Sequence, residues 1–399
     1  GAVTAHPSDA SAIYYNPAGL GALEGANIVA GASWVYPSAQ FESASTGETT
    51  KAKHQGFVLP QLFASWRMTD VMAVGVGAYE PFGLALDWPA SSPGRTQVRQ
   101  ADLRTFFISP VAAFNLSQWI PGFSLGAGFD LVPASVRLTR DVAFGTDFGS
   151  AALSGEAFGF GARAGLYFHP RPLPKWAFGL TYRSPVKLVF DGHADFDAPP
   201  EYRITLPPDG QASTAITLPQ SVGLGVSFAP IPEWDIEADG SWRGWSSYDQ
   251  LDLHLPDGSV QSSHKGWKDS FTVRVGTELL FAEQWSARLG AIWDQTPVPA
   301  STLDFELPDA ERFDVTAGFG VKLSQIFRLD ASALYVLPQK RTTGSEPGEP
   351  PIKGRFSIDA WVVGLSLGMT FETDQSRAAA AEGKTPPQSP ALPPTNAAH

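Results

Sequence analysis

Two serine motifs are the part of this chain that most resembles catalytic machinery. The pattern Gly-x-Ser-x-Gly occurs at residues 122–126 and 364–368, with Ser124 and Ser366 at the two centres. In a hydrolase this motif forms a strand–turn–helix elbow that exposes the serine as a nucleophile. Both copies here lie within stretches that alternate like strands, with glycines and serine on one face. We therefore predict small residues facing the inside of a sheet, and a chain that is not an enzyme.

Histidine, cysteine and net charge argue against several other kinds of site. The seven histidines are scattered, mostly in predicted loops, and their spacing is not typical of metal ligands. The chain has no cysteine, which fits an oxidising compartment. Its formal net charge of −12 argues against a nucleic-acid partner. We expect no metal, no cofactor and no nucleic acid.

The elements that position the remaining polar residues are predicted to be strands. Mean hydropathy is −0.08, and no segment approaches the run of about 20 apolar residues that a transmembrane helix needs. From residue 27 to about residue 371, apolar and polar residues alternate with the period of two that is typical of strands. The predicted strands cover residues 27–43, 55–67, 71–86, 98–116, 122–140, 153–168, 175–193, 211–228, 233–249, 267–282, 284–296, 311–323, 325–340 and 355–372.

The connections between these strands alternate between short and long. Tight turns such as 68–70 and 229–232 alternate with long polar links such as 141–152 and 194–210. This is the pattern of an outer-membrane barrel with periplasmic turns and extracellular loops. Tryptophans at both strand ends predict an aromatic girdle at each interface. Those beside short turns are Trp66, Trp119, Trp176, Trp234 and Trp285, and those toward long loops are Trp88, Trp242, Trp245, Trp293 and Trp361.

A soluble β-sandwich or propeller would also alternate, but it would bury more than one layer and would lack girdles at both strand ends. We therefore predict an all-β fold: a transmembrane antiparallel β-barrel of about 14 strands in the outer membrane of a Gram-negative bacterium. We expect the barrel to contact outer-membrane lipid and lipopolysaccharide.

An irregular apolar segment precedes the first strand. Its centre is the sequence Asn16, Pro17, Ala18, Gly19 and Leu20. The proline fixes φ and the glycine permits a positive φ, so a compact turn is predicted. We expect residues 1–26 to form a hatch, or plug, in the lumen of a barrel formed by residues 27–372. The Ala/Pro-rich residues 373–399 are predicted to be a disordered periplasmic tail, and the visible start is read as processed or trimmed.

One face of the predicted strands points into the barrel and carries two kinds of residue. The charged ones are Asp130, Arg163, Arg183, Asp235, Glu237, Asp239, Arg274, Glu278, Arg288, Asp314, Lys322, Arg328 and Asp330. The apolar ones are Val29, Phe63, Tyr79, Phe107, Val111, Val136, Leu138, Ile292, Leu334 and Val336. The charges are expected to pair across strands, and the apolar residues could pack on the hatch or line a ligand pocket.

The hatch sequence and several later stretches resemble the FadL/TodX family of outer-membrane transporters for long-chain fatty acids and other hydrophobic compounds. The later stretches follow the same order as in the family and lie at residues 218–225, 234–242, 245–248, 267–269, 274–276, 285–290, 294–299 and 307–312. The resemblance implies a fourteen-strand monomeric barrel with an N-terminal hatch. Family members usually carry more residues before the hatch sequence, which leaves any N-terminal ligand contact open.

The resemblance also implies where a ligand carboxylate would bind. The family places basic residues on the fifth strand and at the start of the tenth, and the matching positions are Arg140 and Lys268. Strand parity, counted from Asp130 and Arg274, turns both inward; the alternative is simple salt bridging at the loop bases. The expected apolar contacts are Phe63, Tyr79, Phe107, Val136, Leu138, Ile292 and Leu334.

The predicted third strand contains an unusual sequence at Glu80, Pro81, Phe82 and Gly83. Proline within a strand removes a ladder donor, and a nearby glycine tolerates a bulge. The sequence could mark a local kink near the rim. The resemblance to the FadL/TodX family implies instead an inward kink, which opens a gap in the wall through which a hydrophobic ligand leaves sideways.

These features predict a channel for the passive uptake of hydrophobic molecules, in particular long-chain fatty acids. Capture is expected on loops 141–152 and 194–210, through Phe144, Phe148, Phe196 and Tyr202, followed by a lumen pocket, a shift of the hatch and lateral exit. The alternatives are uptake of aromatic hydrocarbons or other neutral xenobiotics by the same fold, a non-transporting structural or adhesin barrel, and an outer-membrane lipase.

Overall fold

The protein is a closed antiparallel barrel in the computed structural model, which describes residues 2–343 and 352–372. The strands are β1 (Ala26–Ser43), β2 (Thr49–Lys51), β3 (Phe57–Arg67), β4 (Met72–Tyr79), β5 (Gly83–Asp87), β6 (Gln100–Thr105), β7 (Phe107–Asn115), β8 (Phe123–Phe144), β9 (Asp147–Phe168), β10 (Trp176–Arg183), β11 (Val186–Asp197), β12 (Gly210–Leu218), β13 (Ser221–Ile231), β14 (Trp234–Arg243), β15 (Gln250–His254), β16 (Val260–His264), β17 (Ser270–Phe281), β18 (Trp285–Asp294), β19 (Arg312–Lys322), β20 (Phe327–Thr343) and β21 (Gly354–Phe371). The helices are α1 (Ala12–Tyr15) and the 3₁₀ turns Pro17–Ala22, Arg203–Thr205, Trp245–Ser247 and Ala300–Thr302.

Pairing of β21 with β1 closes the sheet and leaves fourteen barrel strands, as predicted. Seven of them are built from two consecutive segments; the third, for example, consists of β4 followed by β5. The predicted tail at 373–399 lies outside the described residues.

The outward face of the barrel is apolar. On β19, Phe313, Val315 and Phe319 are exposed, whereas Asp314 between them is buried. This is the inverse of a soluble protein, and it is the arrangement expected where the surrounding solvent is hydrocarbon. Within residues 2–343 and 352–372, no helix has the length and apolar character needed to cross a membrane.

The girdle at the short-turn end agrees with the prediction, because all five of its tryptophans are exposed. The predicted girdle at the long-loop end is only partly confirmed. Trp88 is fully buried, with its indole Nε1 donating to the Phe305 carbonyl 3.0 Å away. The prediction that Trp88 belongs to the girdle is wrong, because the loops after β5 and β18 fold inward over the barrel mouth. Outside, Tyr335 stacks on the exposed Trp361 at 4.3 Å between ring centroids.

The predicted loop at 141–152 is a hairpin instead. β8 and β9 stay paired as far as Phe144 and Asp147. Gly145 provides the positive φ (+64°) that a two-residue connection between paired strands needs. The polar residues of this stretch therefore continue the ladder beyond the apolar band.

The N-terminal segment (residues 2–25) lies inside the barrel, and Asn16 is its central connector. Its Oδ1 accepts from the Ala18 N–H, which caps the 3₁₀ turn that begins at Pro17. Its Nδ2 donates to the Thr4 carbonyl at 3.0 Å and to the Leu166 carbonyl of β9 at 2.9 Å. One side chain thus joins the start of the segment, its turn and the barrel wall.

Glycines on the barrel wall allow this close approach. A Cβ on Gly165 would overlap Asn16 Oδ1, and one on Gly126 would overlap the backbone at Ala18. The compact turn predicted at this sequence is present as the 3₁₀ turn Pro17–Ala22, although Gly19 does not adopt the positive φ that glycine permits. Gly19 is required for a different reason: a Cβ there would lie 2.6 Å from Pro7 Cβ, so only glycine lets the two parts of the segment pack.

A buried guanidinium connects the segment to the third and fifth strands. Arg163 Nη2 lies 2.7 Å from Asp130 Oδ1, and both side chains are almost completely buried. Arg163 also donates to the Ile13 carbonyl at 2.6 Å and to the hydroxyl of Tyr79. Ser109 completes the network by donating to Asp130 at 2.6 Å. Tyr79 was expected as an apolar ligand contact, but its hydroxyl belongs to this polar network.

A second network near the short-turn end bears out the predicted pairing of inward charges. Arg288 lies 2.8 Å from Glu278 and 2.7 Å from Asp330, and Arg328 contacts the same two carboxylates. Because each group has two partners on neighbouring strands, the barrel interior stays electrically compensated at this level.

The wall glycine at 165 yields a stability prediction. We expect Gly165→Ala to lower the free energy of unfolding in detergent by about 1–3 kcal/mol, because the methyl group must push the Asn16 side chain away. Thermal unfolding in one detergent measures this. The matched control is Gly240→Ala, where a Cβ meets nothing within 4 Å. Equal effects of the two substitutions would contradict the close-packing argument.

The Arg163 network yields a second prediction. Arg163→Met leaves the Asp130 carboxylate buried without its partner and is expected to cost about 3–5 kcal/mol of stability. The double substitution Arg163→Met/Asp130→Leu should recover a large part of that loss, because no charge is then left buried. Denaturant unfolding of the three proteins provides the comparison; a double variant no more stable than the single one would refute this account.

Candidate functional site

The barrel lumen contains a cavity between the N-terminal segment and the inward-folded loops, with a volume of about 350 Å³. We call it the inner cavity. Its apolar lining includes Phe82, Leu84, Leu103, Phe107, Val136, Leu138, Val186, Ile216, Leu218, Trp245 and Trp267. Its cationic lining is Arg183, Arg243, Lys265 and Arg312. The volume lies within the range of about 300–1,000 Å³ that ligand pockets occupy.

The expected apolar contacts fall into three groups. Phe107, Val136 and Leu138 line the inner cavity, as predicted for ligand contacts. Phe63 and Tyr79 pack in the buried cluster around Ile13 and Leu20 of the N-terminal segment, together with Phe107 and Val136.

The third group is Ile292 and Leu334, which stand apart from this cavity. Both are half-buried, and Ile292 is paired in register between Arg274 and Asp314. Their place in a ligand pocket stays a prediction.

One side of the inner cavity is rich in arginine. Arg312 pairs with Asp294, and Arg243 Nη1 lies 3.9 Å from the other oxygen of the same carboxylate. Arg183 donates to the Tyr14 carbonyl, and its guanidinium lies over the Tyr14 ring, 4.3 Å from the centroid. Burial alone would raise the pKa of the Tyr14 phenol, but Arg183, Arg243 and Arg274 lower it to about 8. The direction shows that the nearby arginines outweigh the effect of burial at the Tyr14 hydroxyl.

A second cavity of about 610 Å³, the outer cavity, lies among the long loops. It shares Leu138, Leu251, Thr302, Asp304 and Glu306 with the inner cavity. Arg140 lines it, as expected of an inward residue, and its guanidinium donates to Gln261 Oε1 at 2.8 Å.

Lys268 does not match the prediction. Its side chain is exposed, and it is not among the lining residues of either cavity. The parity counted back from Arg274 fails because β17 begins only at Ser270 and the preceding segment turns at Gly266, whose φ is +56°. The lysine that lines the inner cavity is Lys265.

Lys265 is buried and paired with two carboxylates. Its Nζ lies 2.5 Å from Glu306 and 3.3 Å from Asp304. Burial alone would lower the pKa of Lys265, but these two charges raise it above its ordinary value. Its charge is therefore compensated. No regular period covers residues 265–269, so the sequence carried no signal for this position.

The third barrel strand is interrupted at residues 80–82. Below the interruption, β4 pairs with β3 and β7. Above it, β5 pairs with β6 alone within the described ranges, so the upper part of β3 has no ladder on that side. The interruption is held in place by Thr105, whose hydroxyl donates to the Phe82 carbonyl at 2.6 Å.

A cavity of about 580 Å³, the wall cavity, lies at this break. Glu80 and Phe57 line it from opposite sides of the break. It shares with the inner cavity Pro81, Phe82, Gly83, Leu84, Asp102, Leu103, Leu307, Asp309 and Arg312. The same short stretch therefore borders both the lumen and the gap in the ladder.

The aromatic residues expected to capture ligand are engaged at the long-loop end. Phe144 stacks on Tyr202 at 4.8 Å between centroids, and Arg95 lies 3.8 Å above the Phe148 ring. Phe196 lines the outer cavity. Their role in capture stays a prediction.

One cluster has atoms that could ligate a metal. The ligand atoms of His6, Asp235 and Glu237 lie within 4.8 Å of one another. Sequence spacing had suggested no such site, because the histidine is far from the carboxylates in the chain. The carboxylates already accept hydrogen bonds, from the Ala5 N–H at 2.6 Å and from the Ser227 hydroxyl at 2.5 Å. In this arrangement they hold the start of the N-terminal segment.

The serine motifs have packing environments. Ser124 lies in β8 beside Gly21 of the N-terminal segment, and Ser366 lies in β21 opposite Gly31. Within the described ranges, neither serine hydrogen-bonds a histidine. This arrangement gives no support to the lipase alternative.

Comparison with known proteins agrees with this geometry. A family model described as "Outer membrane protein transport protein (OMPP1/FadL/TodX)" matches residues 1–371. The long-chain fatty acid transport protein of Escherichia coli O6:H1 is 24% identical, with 91% of this chain and 89% of that protein covered. The putative outer membrane protein NMB0088 of Neisseria meningitidis is 24% identical, with coverage of 93% and 91%.

Solved structures show the same fold. A FadL homologue from Pseudomonas aeruginosa superposes with a TM-score of 0.84 at 18% identity, covering 93% of this chain and 96% of that one. The toluene transporter TodX from P. putida gives 0.74 at 18% identity, with coverage of 91% and 94%. From the family match and the barrel together, the chain belongs to the OMPP1/FadL/TodX family of outer-membrane transport proteins, which are channels and not enzymes.

Proposed function

We propose that this protein is a channel for passive uptake of hydrophobic molecules, in particular long-chain fatty acids. The observation that carries the proposal is the inner cavity, whose lining combines many apolar side chains with Arg183, Arg243 and Arg312. A long acyl chain matches the apolar wall, and a carboxylate matches the guanidinium groups. Movement runs down a concentration gradient, with no energy source.

Aromatic hydrocarbons are the second candidate ligands, because three of the similar structures are named toluene transporters. A neutral hydrocarbon gains nothing from Arg243 or Arg312, and it would have to share a cavity with charged groups that stay hydrated. The relatives named long-chain fatty acid transport proteins agree with the acidic ligand. The arginines around Tyr14 therefore favour fatty acids as ligands.

The interruption of the third strand supports a lateral exit into the membrane. Pro81 and Phe82 border both the inner cavity and the wall cavity, and no ladder joins β5 to β3 at that level in the described ranges. A ligand leaving there meets lipid directly and avoids crossing water.

The N-terminal segment closes the lumen below the inner cavity and acts as the hatch. Asn16 and Pro17 form its most tightly held turn, with Tyr14 reaching the cavity. A shift of this segment would enlarge the space beside the interrupted strand. The monomeric state and contact with lipopolysaccharide remain predictions.

Uptake assays with oleate and toluene distinguish fatty acids from aromatic hydrocarbons as ligands. Cells that lack their own transporter and express this protein are expected to take up labelled oleate, with toluene uptake unchanged. Arg140→Ala should reduce oleate uptake roughly two- to fivefold, the size of a partly screened charge contact. Lys268→Ala is the matched control, since Lys268 is exposed. Toluene uptake without oleate uptake would reverse the assignment.

Cross-linking across the gap tests the lateral exit. The chain has no cysteine, so Phe57→Cys/Leu84→Cys introduces a single reactive pair, one on each side of the gap. A short bis-maleimide should abolish oleate uptake in this variant and leave the assembled barrel intact on a gel. The control pair is Leu62→Cys/Ala78→Cys, which joins strands that are already paired. Undiminished uptake after complete cross-linking of the first pair would exclude this route.

A further inference from the structure

Three carboxylates follow one another on the inward face of β14, and their negative charge is poorly compensated. Asp235, Glu237 and Asp239 occupy alternate positions of the strand, so their side chains share one face. In the part of the chain that the structure describes, Glu237 and Asp239 form no ion pair, and Asp235 pairs with His6 alone. Asp239 is buried, and its Oδ1 has no hydrogen-bond partner among the described residues. A buried excess of carboxylates is costly unless a cation joins it.

His6 is held against this face by the residues on either side of it. The Ala5 N–H donates to Glu237 Oε1 at 2.6 Å, which places the next residue beside the carboxylates. Pro7 restricts His6 to an extended backbone, because the proline ring would clash with a helical residue before it. The imidazole therefore has a defined place beside β14.

Each side chain of this cluster keeps one atom that is available to an ion. Glu237 uses Oε1 for the Ala5 N–H, and Asp235 uses Oδ2 for the Ser227 hydroxyl. His6 Nδ1 lies 3.3 Å from Asp235 Oδ1, yet it is buried and has no hydrogen-bond partner in the described ranges. A protonated Nδ1 at this distance would be expected to donate to the carboxylate. An unprotonated Nδ1 instead presents its lone pair to a cation beside the carboxylate oxygens.

The geometry of the cluster suits a small divalent metal. One ligand atom from each of His6, Asp235 and Glu237 lies within 4.8 Å of the other two, and no other described group of three His, Cys, Asp or Glu side chains is so arranged. Two atoms bound to one Zn²⁺ at about 2.1 Å lie at most about 4.2 Å apart, so the cluster needs to close by roughly half an ångström. Glu278 Oε2 lies 3.9 Å from His6 Nε2, on the side from which a carboxylate orients a metal-bound histidine.

An ion can reach the cluster from the short-turn end of the barrel. A cavity of about 330 Å³, the turn-side cavity, has His6, Asp235 and Glu278 in its lining. It also borders the short turns at residues 232–233 and 324–326. None of the three side chains lines the inner or the outer cavity. Access for an ion is therefore separate from the cavities proposed for a hydrophobic ligand.

We propose that His6, Asp235 and Glu237 bind one divalent transition-metal cation of the Zn²⁺ type, and that the ion fastens the start of the N-terminal segment to β14. An imidazole nitrogen combined with carboxylate oxygens suits Zn²⁺, whereas Mg²⁺ and Ca²⁺ take oxygen ligands. The ion offsets the negative charge of the strand face and links two distant parts of the chain. This inference does not depend on which hydrophobic molecule the channel carries.

Titration of the purified protein with ZnCl₂ in detergent tests the site, on protein that carries no histidine tag and has been treated with a chelator. The wild type is expected to bind one Zn²⁺ per chain, and a large excess of Mg²⁺ should not displace it. His6→Gln and Asp235→Asn should each weaken Zn²⁺ binding roughly tenfold or more, since each removes a ligand. His254→Gln is the matched control with unchanged affinity, because His254 is exposed and lies outside the cluster.

Anomalous scattering at the zinc edge, from crystals grown with ZnCl₂, locates the ion directly. The peak is expected about 2.0–2.2 Å from His6, Asp235 and Glu237. Zn²⁺ should also raise the unfolding temperature of the wild type but not that of His6→Gln.

Five results would each overturn the proposal: no Zn²⁺ binding by the wild type, displacement of Zn²⁺ by Mg²⁺, unchanged affinity in His6→Gln, equal weakening in His254→Gln, or an anomalous peak elsewhere. None of them bears on the proposed uptake function, because these assays contain no fatty acid.

Discussion

The burial of Arg163 is the constraint on which the interior of this barrel depends. A lone guanidinium in that position would be strongly unfavourable, so it must keep Asp130, the Tyr79 hydroxyl and the Ile13 carbonyl as partners. Those partners belong to the wall, the end of β4 and the N-terminal segment. Ion pairs of this kind add little net stability. The Arg163–Asp130 pair instead fixes the position of the N-terminal segment along the barrel axis. It holds the segment directly beside the point where the third strand breaks.

A segment without strand pairing can occupy the lumen only if its backbone polar groups find other partners. The wall supplies them with side chains. Asp239 and Glu237 accept the first N–H groups, and Asn115 donates to the Gly21 carbonyl at 2.9 Å. Carboxylates accept hydrogen bonds from the N–H groups at the start of the segment, which point outward. Amide and guanidinium groups donate to its carbonyls. Several inward charges, including Arg163, Glu237 and Asp239, are therefore docking groups for the segment, whereas others pair across strands as predicted.

Sequence alternation predicted the fold because its period of two continues through all fourteen strands. The prediction of side-chain orientation failed where a regular strand ended. Arg140 lies inward because β8 runs unbroken from Asp130. Lys268 precedes the start of β17, so the inward–outward alternation of that strand does not extend to it. The parity of Asp239 and Asp314 already pointed to Arg243 and Arg312, two positions that sequence reasoning overlooked. Trp88 and Lys265 could not have been placed, since both depend on loops that fold back over the mouth and carry no periodic signal.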